Sequence, residues 1–466
     1  MFQRARTLIQ SYFLIEKKEW MKIALLTVCF ALVIASYSIV KELKDSIFIS
    51  MVGKEYIPLA KALTLIFLVP AVLFYSRLVD RVRRYQLLTI YSCIYIALGL
   101  VSLYVIGHPY LGVANTDTGP YRVFGWIFYF LIEAFSPFMV GVFWAFANSV
   151  NNPSEAKRHY AFMVSGSKIG GMLSTGFAWW FFSFRDSAGC SLYSDVTNHQ
   201  IILLIFCLSI ALIPVVIHYL IKKVPGYQMH GYEAVYQFEK EKEKEKAADK
   251  KPERWGMFTG LWMLFQKPYV FGIFGMLFFY EMVQTVLSYQ RLGIAKGAST
   301  DLTGVSCFLF KLAFIQHLVG FVISGIGTQK LLSRLGERKC LLLVPISSGI
   351  LLTAYLFFYG DTALTITLVI LRSLNYAFAQ PIRESLYIPT IKDLKFKSKS
   401  WIDSFGSKLA KGAGSGFNFM GDLVGPTLFF PANAAFFGII VGLWSVTAAL
   451  LGKRYVKAIE NNEVIG

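Results

Sequence analysis

Lys41, Lys44 and Asp45 stand at i, i+3 and i+4 inside a predominantly apolar stretch, a spacing that puts all three on one face of a helix. Other apolar stretches are interrupted in the same way. Glu133 is followed a turn later by Ser136 and Pro137, and Arg372 by Asn375 and Tyr376; Lys168 stands alone, and Glu281 precedes Gln284 and Thr285. Lys311 and His317 share another stretch, while Ser404, Lys408, Lys411 and Ser415 fall along one helical face of a further one. Counted together, seven cations (Lys41, Lys44, Lys168, Lys311, Arg372, Lys408 and Lys411) face three acids (Asp45, Glu133 and Glu281). Glu42 is left out as pointing off the Lys41 face, and Asp403 and Asp422 as lying near the ends of their stretches; adding all three still leaves a positive surplus. Ammonium and guanidinium groups donate to phosphate oxygens, and burying them is worthwhile when a counter-charge arrives. The pattern therefore points to a polyanionic ligand. Helix-locking pairs such as Lys44 with Glu281 or Glu133 with Arg372 are the structural alternative, but three acids cannot neutralise seven bases. No nucleophile, base and metal set converges, so no catalytic residue, metal or cofactor is expected.

These residues need elements that hold charge inside an apolar setting. The chain has 466 residues, of which 55% are hydrophobic and only 16% charged, against roughly a quarter charged in soluble domains. That balance excludes a soluble enzyme and a disordered chain. A bilayer core about 30 Å thick takes about 20 apolar residues in helical form, since backbone polar groups must be satisfied internally. Twelve such spans are expected, at 23–51, 56–78, 87–106, 123–150, 160–184 and 201–221, and then at 269–289, 302–326, 340–359, 363–379, 402–424 and 432–451. The fold class is an all-α polytopic membrane protein. The six cysteines fall singly, without the spacing of a metal or redox pair.

Basic residues orient the spans, because loops retained in the cytoplasm carry an excess of Lys and Arg. Arg4, Arg6, Lys17, Lys18 and Lys22 precede the first span, Arg77, Arg81, Arg83 and Arg84 follow the second, and Lys330, Arg334, Arg338 and Lys339 follow the eighth. Both termini are thus expected in the cytoplasm. Residues 1–22 do not read as a cleavable signal or transit peptide, which points to a bacterial inner membrane; 1–19 suit either a surface helix or a plain tail. The net charge of +18 comes from these loops and the span cations, and no nucleic-acid partner is expected.

The two halves echo each other. Ser76-Arg77-Leu78-Val79-Asp80-Arg81 parallels Ser333-Arg334-Leu335-Gly336-Glu337-Arg338, and Trp144-Ala145-Phe146-Ala147-Asn148 parallels Tyr376-Ala377-Phe378-Ala379-Gln380. Gly166-Ser167-Lys168-Ile169 likewise parallels Gly406-Ser407-Lys408-Leu409. The expected units are an N-terminal segment 1–22, a six-helix half 23–221, a charged linker 222–256, a second six-helix half 257–452 and a tail 453–466. Two six-span halves with a basic turn after the second span of each is a major-facilitator-like layout, in which halves rock around a midplane site.

The sequence further resembles the bacterial and plastid ATP/ADP translocases. The clearest pieces are Glu42-Leu43-Lys44-Asp45-Ser46, Phe143-Trp144-Ala145-Phe146-Ala147-Asn148 with Ser154-Glu155-Ala156-Lys157-Arg158, then Tyr387-Ile388-Pro389 and Lys397-Ser398-Lys399-Ser400-Trp401-Ile402-Asp403. The resemblance implies ATP/ADP exchange by alternating access with a nucleotide as substrate; the lipid bilayer is the other expected partner, and a monomer the expected working unit. The resemblance also implies transport roles for Lys44, Glu133, Glu281 and Lys399. Met282-Val283-Gln284-Thr285 departs from the family pattern, with Thr285 where a lysine is usual. Lys168, Arg372 and Lys408 join the substrate-binding set from their position, and Lys41, Asp45, Asn375, Tyr376 and Lys411 stand beside it. Proton-coupled import of another nucleotide, or of a phosphorylated or organic anion, remains an alternative. A scaffold or sensor without transport is a third reading.

Overall fold

The computed structural model describes residues 19–465 apart from 80, 152, 185–190, 192, 225–258, 300, 327, 388, 391–397, 425 and 462. The N-terminal segment before residue 19, most of the linker and part of the loop carrying Lys392, Lys395 and Lys397 lie outside the described residues. Six helical rods form the first half: α1 (Trp20–Met51), α2 (Ile57–Val79), α3 (Arg84–Ile106), α4 (Val123–Val150), α5 (Pro153–Phe182) and α6 (Asp195–Lys223). A short helix, Thr259–Gln266, precedes the second half. There follow α7 (Pro268–Ala298), α8 (Leu302–Ile326), α9 (Thr328–Phe358), α10 (Asp361–Leu374, continued to Ser385), α11 (Lys399–Trp401, continued to Val424) and α12 (Pro426–Glu460).

Among the described residues, eight of these helices are long and apolar enough to cross a bilayer by length and composition. The other four, α2, α5, α10 and α11, include the helices that carry Lys168, Arg372, Lys408 and Lys411. A charge inside such a helix must face a cavity or a partner.

The rods run longer than their apolar runs. The seventh span, expected to end at Tyr289, continues to Ala298; in its last turns Arg291 finds partners on α1, and Gln290 bonds Tyr355 and Asn433. Three rods contain a turn of π-helix: Ser136–Val140 in α4, Asn375–Ala379 in α10 and Ile402–Gly406 in α11. Such turns displace one residue and are frequent at functional sites. Those of α4 and α10 each begin three residues beyond a charged group, Glu133 and Arg372. α9 is broken at Gly336, whose φ of 73° belongs to glycine.

Each half has its own apolar core. The first is built from α1, α3, α4 and α6, with residues such as Leu43, Phe48, Tyr95, Phe135, Phe143 and Phe206. The second is built from α7, α9, α10 and α12, including Tyr280, Leu341, Leu368, Phe437 and Trp444. The first core also takes in Tyr289, Leu292, Leu302, Val305 and Phe310 from the end of α7 and the start of α8. The halves are therefore packed together at the end of the bundle where α1 finishes. Along the seams α5 packs on α8 and α2 on α11. Close approach is built in: Gly170 of α5 lies against the Ala31 backbone of α1, and Gly414 of α11 against Met282 of α7, leaving no room for a Cβ.

Candidate functional site

The charged residues meet where α1, α4, α7, α10 and α11 face one another. The Lys44 ammonium lies 2.5 Å from one oxygen of Glu133, and Lys408, from the other half of the chain, lies 2.5 Å from the second oxygen. Lys44 is also 3.2 Å from Asp45 and stands 4.2 Å over the Tyr129 ring. Glu133 is thus a bridge with both oxygens engaged, joining α1 and α4 of one half to α11 of the other. The pairs anticipated from composition, Lys44 with Glu281 and Glu133 with Arg372, are not the ones formed. Glu281 instead faces Lys411 at 3.9 Å. Lys44 of α1 and Lys408 of α11 are the cations that reach Glu133.

A second ionic cluster was not visible in the sequence. Arg291 donates to Glu42 at 3.0 Å and to Asp45 at 3.2 Å, and both Arg291 and Glu42 are 1% exposed. Lys41 lies 3.4 Å from Glu42. Glu42, left out of the sequence count as pointing off the Lys41 face, is nonetheless engaged by cations: α7 supplies Arg291, and Lys41 stands beside it. The signal that could have found this pair was the Gln290-Arg291 step at the end of an apolar run, which reads as a helix end when the partner is unknown.

Arg372 has a different environment. It is buried, and it donates to Ser288 at 2.7 Å and to Gln316 at 3.1 Å. With its amide oxygen turned toward the guanidinium, Gln284 accepts at 2.9 Å. Lys168 stands 4.7 Å over the ring of Tyr376, one turn beyond Arg372, and half of Tyr376 is exposed. Among the described residues, Arg372 and Lys168 have neutral or aromatic neighbours and no carboxylate at ion-pair distance, whereas Lys44, Lys408, Lys411 and Arg291 each have one. Asn375, also buried, follows Arg372 on α10.

The remaining candidates lie elsewhere. Lys399, at the start of α11, pairs with Glu384 and stands over Tyr387, at a half-buried position outside the central cluster. Lys311 is exposed beside Trp179, 5.9 Å over its ring. His317 shares a hydrogen bond of 3.1 Å with Ser38, in keeping with a packing role. Thr285 is buried against Gly414 and its carbonyl accepts from Asn418 at 3.5 Å. No group of His, Cys, Asp and Glu suited to a metal occurs among the described residues.

The long apolar helices packed around a buried charged cluster have the all-helical architecture of major-facilitator-type transporters. The fold is similar to that of the xylose transporter XylE from E. coli in its inward open conformation, with a TM-score of 0.61, 11% identity, and 94% of this chain and 95% of that one covered. It is also similar to the transporter FucP in the outward conformation, with a TM-score of 0.54, 14% identity, and coverage of 92% and 98%. Residues 121–366 match the model of the TLC ATP/ADP transporter family, and the chain belongs to that family. Similar sequences include ADP,ATP carrier protein 1 of Chlamydia trachomatis, 24% identical over 98% of this chain and 92% of that protein, and ADP,ATP carrier protein 1 of Rickettsia bellii, 22% identical over 96% and 95%. Membership makes the chain a transporter and not an enzyme.

Proposed function

We propose that the chain exchanges ATP for ADP across a bacterial inner membrane, with both termini in the cytoplasm and each monomer forming a complete path. The observation that carries the reading is the division of the cations inside the bundle. Arg372 and Lys168 lack a carboxylate partner among the described residues and offer a seat to phosphate, while Lys44 and Lys408 are held by Glu133 until phosphate replaces it. Glu281 and Lys411 form a similar exchangeable pair. Tyr376 lies beside the seat and presents a half-exposed ring.

The Glu133 bridge also supports exchange over one-way movement. Rocking of the halves separates α4 from α11 and must break the contact of Glu133 with Lys408. Leaving one partner of such a pair buried and unpaired costs about 3–5 kcal/mol. A bound polyphosphate satisfies both lysines and removes that barrier, so the loaded carrier reorients and the empty one waits. Both oxygens of Glu133 are occupied by ammonium groups, which favours this role over proton carriage. ATP carries one more negative charge than ADP, and each charge moved across 100 mV is worth about 2.3 kcal/mol, enough to set the direction of net flux.

Proteoliposomes loaded with ADP should take up labelled ATP, and empty liposomes should not. Equal uptake in both would overturn exchange, and uptake driven only by a pH gradient would support proton coupling.

A further inference from the structure

We propose that a groove between α3 and α6, on the outer face of the first half, seats one anionic phospholipid. The groove encloses about 850 Å³ and lies away from the central cluster. It starts where α3 begins and α6 ends, at the end of the bundle that also holds the start of α1. The distribution of basic residues assigns that end to the cytoplasmic leaflet.

Its two ends differ in chemistry. At the helix termini it is lined by His218 and Lys222 of α6 and by Tyr85 and Gln86 of α3; Lys222, His218 and Gln86 are exposed. Deeper along the same walls stand Ile90, Pro214 and Val215. From Lys222 to Pro214 the wall covers eight residues, or about 12 Å along the helix, so the groove runs from the headgroup level into the hydrocarbon. Pro214 has no N–H for the Ile210 carbonyl, which locally loosens the helix. The floor is closed by Ile217, which is 1% exposed, and α3 turns its buried residues Leu87, Leu88 and Tyr91 to the core rather than to the groove.

The occupant follows from charge and depth together. Among the described residues no Asp or Glu lines the groove, and Arg81 and Lys223 lie close by in sequence and are exposed. A basic recess between helices at the cytoplasmic level is matched by an anionic headgroup, whose phosphate would meet Lys222, His218 and the Gln86 amide. Tyr85 and Tyr219 flank it in the amphipathic position that tyrosine takes at membrane interfaces. The acyl chain would lie over Ile90, Pro214 and Val215, surfaces that free phosphate or a nucleotide has no use for.

The test compares thermal unfolding of the purified full chain in micelles containing phosphatidylglycerol with micelles containing phosphatidylcholine, and weighs co-purified lipid by native mass spectrometry. Phosphatidylglycerol should raise the midpoint by several degrees more than phosphatidylcholine, and the His218→Gln/Lys222→Gln variant should lose that difference together with a co-purified lipid. Val215→Trp, which fills the apolar end and leaves the charges in place, should lose it too. Stabilisation by ATP, which reads the central site, should persist in both variants and shows that they are folded. Equal stabilisation of the wild type by both lipids, or retention of the difference in both variants, would overturn the proposal. So would an equal shift produced by inorganic phosphate, since it would identify a site for free anions.

Discussion

The Asp195 carboxylate accepts from the Thr303 backbone N–H at 3.0 Å and from its hydroxyl at 2.5 Å, so the first residue of α6 caps a helix in the opposite half of the molecule. The other carboxylate oxygen takes the Leu302 N–H at 3.2 Å. These are among the N–H groups that a helix leaves without an internal partner, at the end where its dipole favours negative charge. The surroundings reinforce the cap. His199 bonds the Asp195 carbonyl oxygen at 2.7 Å and Ser306 at 2.8 Å, and Asn198 donates to Thr303 at 3.1 Å. Along this end Lys54 of the first half stands 4.4 Å over Tyr289 of the second. Opening the bundle here means uncapping α8.

Replacing the cap should therefore favour the open form of this end. Loss of an N-cap costs about 0.5–2 kcal/mol, and in Asp195→Ala the closed form should lose ground by roughly 2- to 30-fold. Cys307, whose thiol lies 3.4 Å from the Ser183 hydroxyl at the same end, is a natural reporter. With the other cysteines replaced by serine, its labelling by an impermeant maleimide added from outside should accelerate in Asp195→Ala. An unchanged labelling rate would show that the cap does not hold this end closed.

Glu133→Gln should separate binding from movement. The amide cannot neutralise Lys44 and Lys408, so the vacant site repels itself and phosphate no longer competes with a carboxylate. ATP is expected to bind more tightly, the unliganded protein to melt at a lower temperature, and exchange to fall about tenfold or more, equivalent to about 1.4 kcal/mol. Calorimetry and flux on the same preparation check all three. Weaker binding with unchanged exchange would remove Glu133 from its proposed place as counter-charge.

Arg372 should behave in the opposite way. Hydrogen bonds to charged groups contribute about 1.5–3 kcal/mol, so Arg372→Ala should weaken ATP binding by roughly 10- to 100-fold. Arg372→Lys should recover only part, since an ammonium lacks the planar fork that suits phosphate. Lys168→Ala should weaken ATP more than AMP, because losing a cation matters most for the more highly charged ligand. If AMP and ATP are weakened equally, Lys168 acts on packing with Tyr376 and not on phosphate.

The balance between what the sequence discloses and what it hides follows from how far apart the partners are. Spacing along one helix places Lys41, Lys44 and Asp45 without any structure, and echoes between halves pair Lys168 with Lys408. The apolar runs locate α2, α5, α10 and α11 as well as the eight helices that, among the described residues, are long and apolar enough to span. Partnership is another matter. Lys408 meets Glu133 across 275 positions, and Arg291 meets Glu42 across 249; nothing local marks either pair. The π-turns after Glu133 and Arg372 are equally hidden, since they depend on how neighbouring helices receive the displaced residue. Lys399 shows the reverse: its motif sets it beside Lys44 in role, while its ammonium rests on Glu384 and Tyr387 at the start of α11.

The Arg291 cluster carries the last prediction, because its worth is in the pairing and not in any single charge. Arg291→Ala leaves the Glu42 carboxylate buried with only Lys41 beside it and takes one of the two cations from Asp45. Breaking a buried pair from one side costs about 3–5 kcal/mol, and this variant should melt well below the wild type. Arg291→Met with Glu42→Leu replaces the pair by apolar groups of similar bulk, and such replacements are often neutral or stabilising. The double variant should therefore be more stable than Arg291→Ala, with Asp45 still neutralised by Lys44 at 3.2 Å. A double-mutant cycle on thermal unfolding reads the coupling directly. Strict additivity of the two single substitutions would mean that Arg291 and Glu42 do not stabilise one another. Coupling accompanied by normal exchange would assign the cluster to stability alone. Coupling with slowed exchange would tie the α1–α7 contact to the same closure that Asp195 secures from α6.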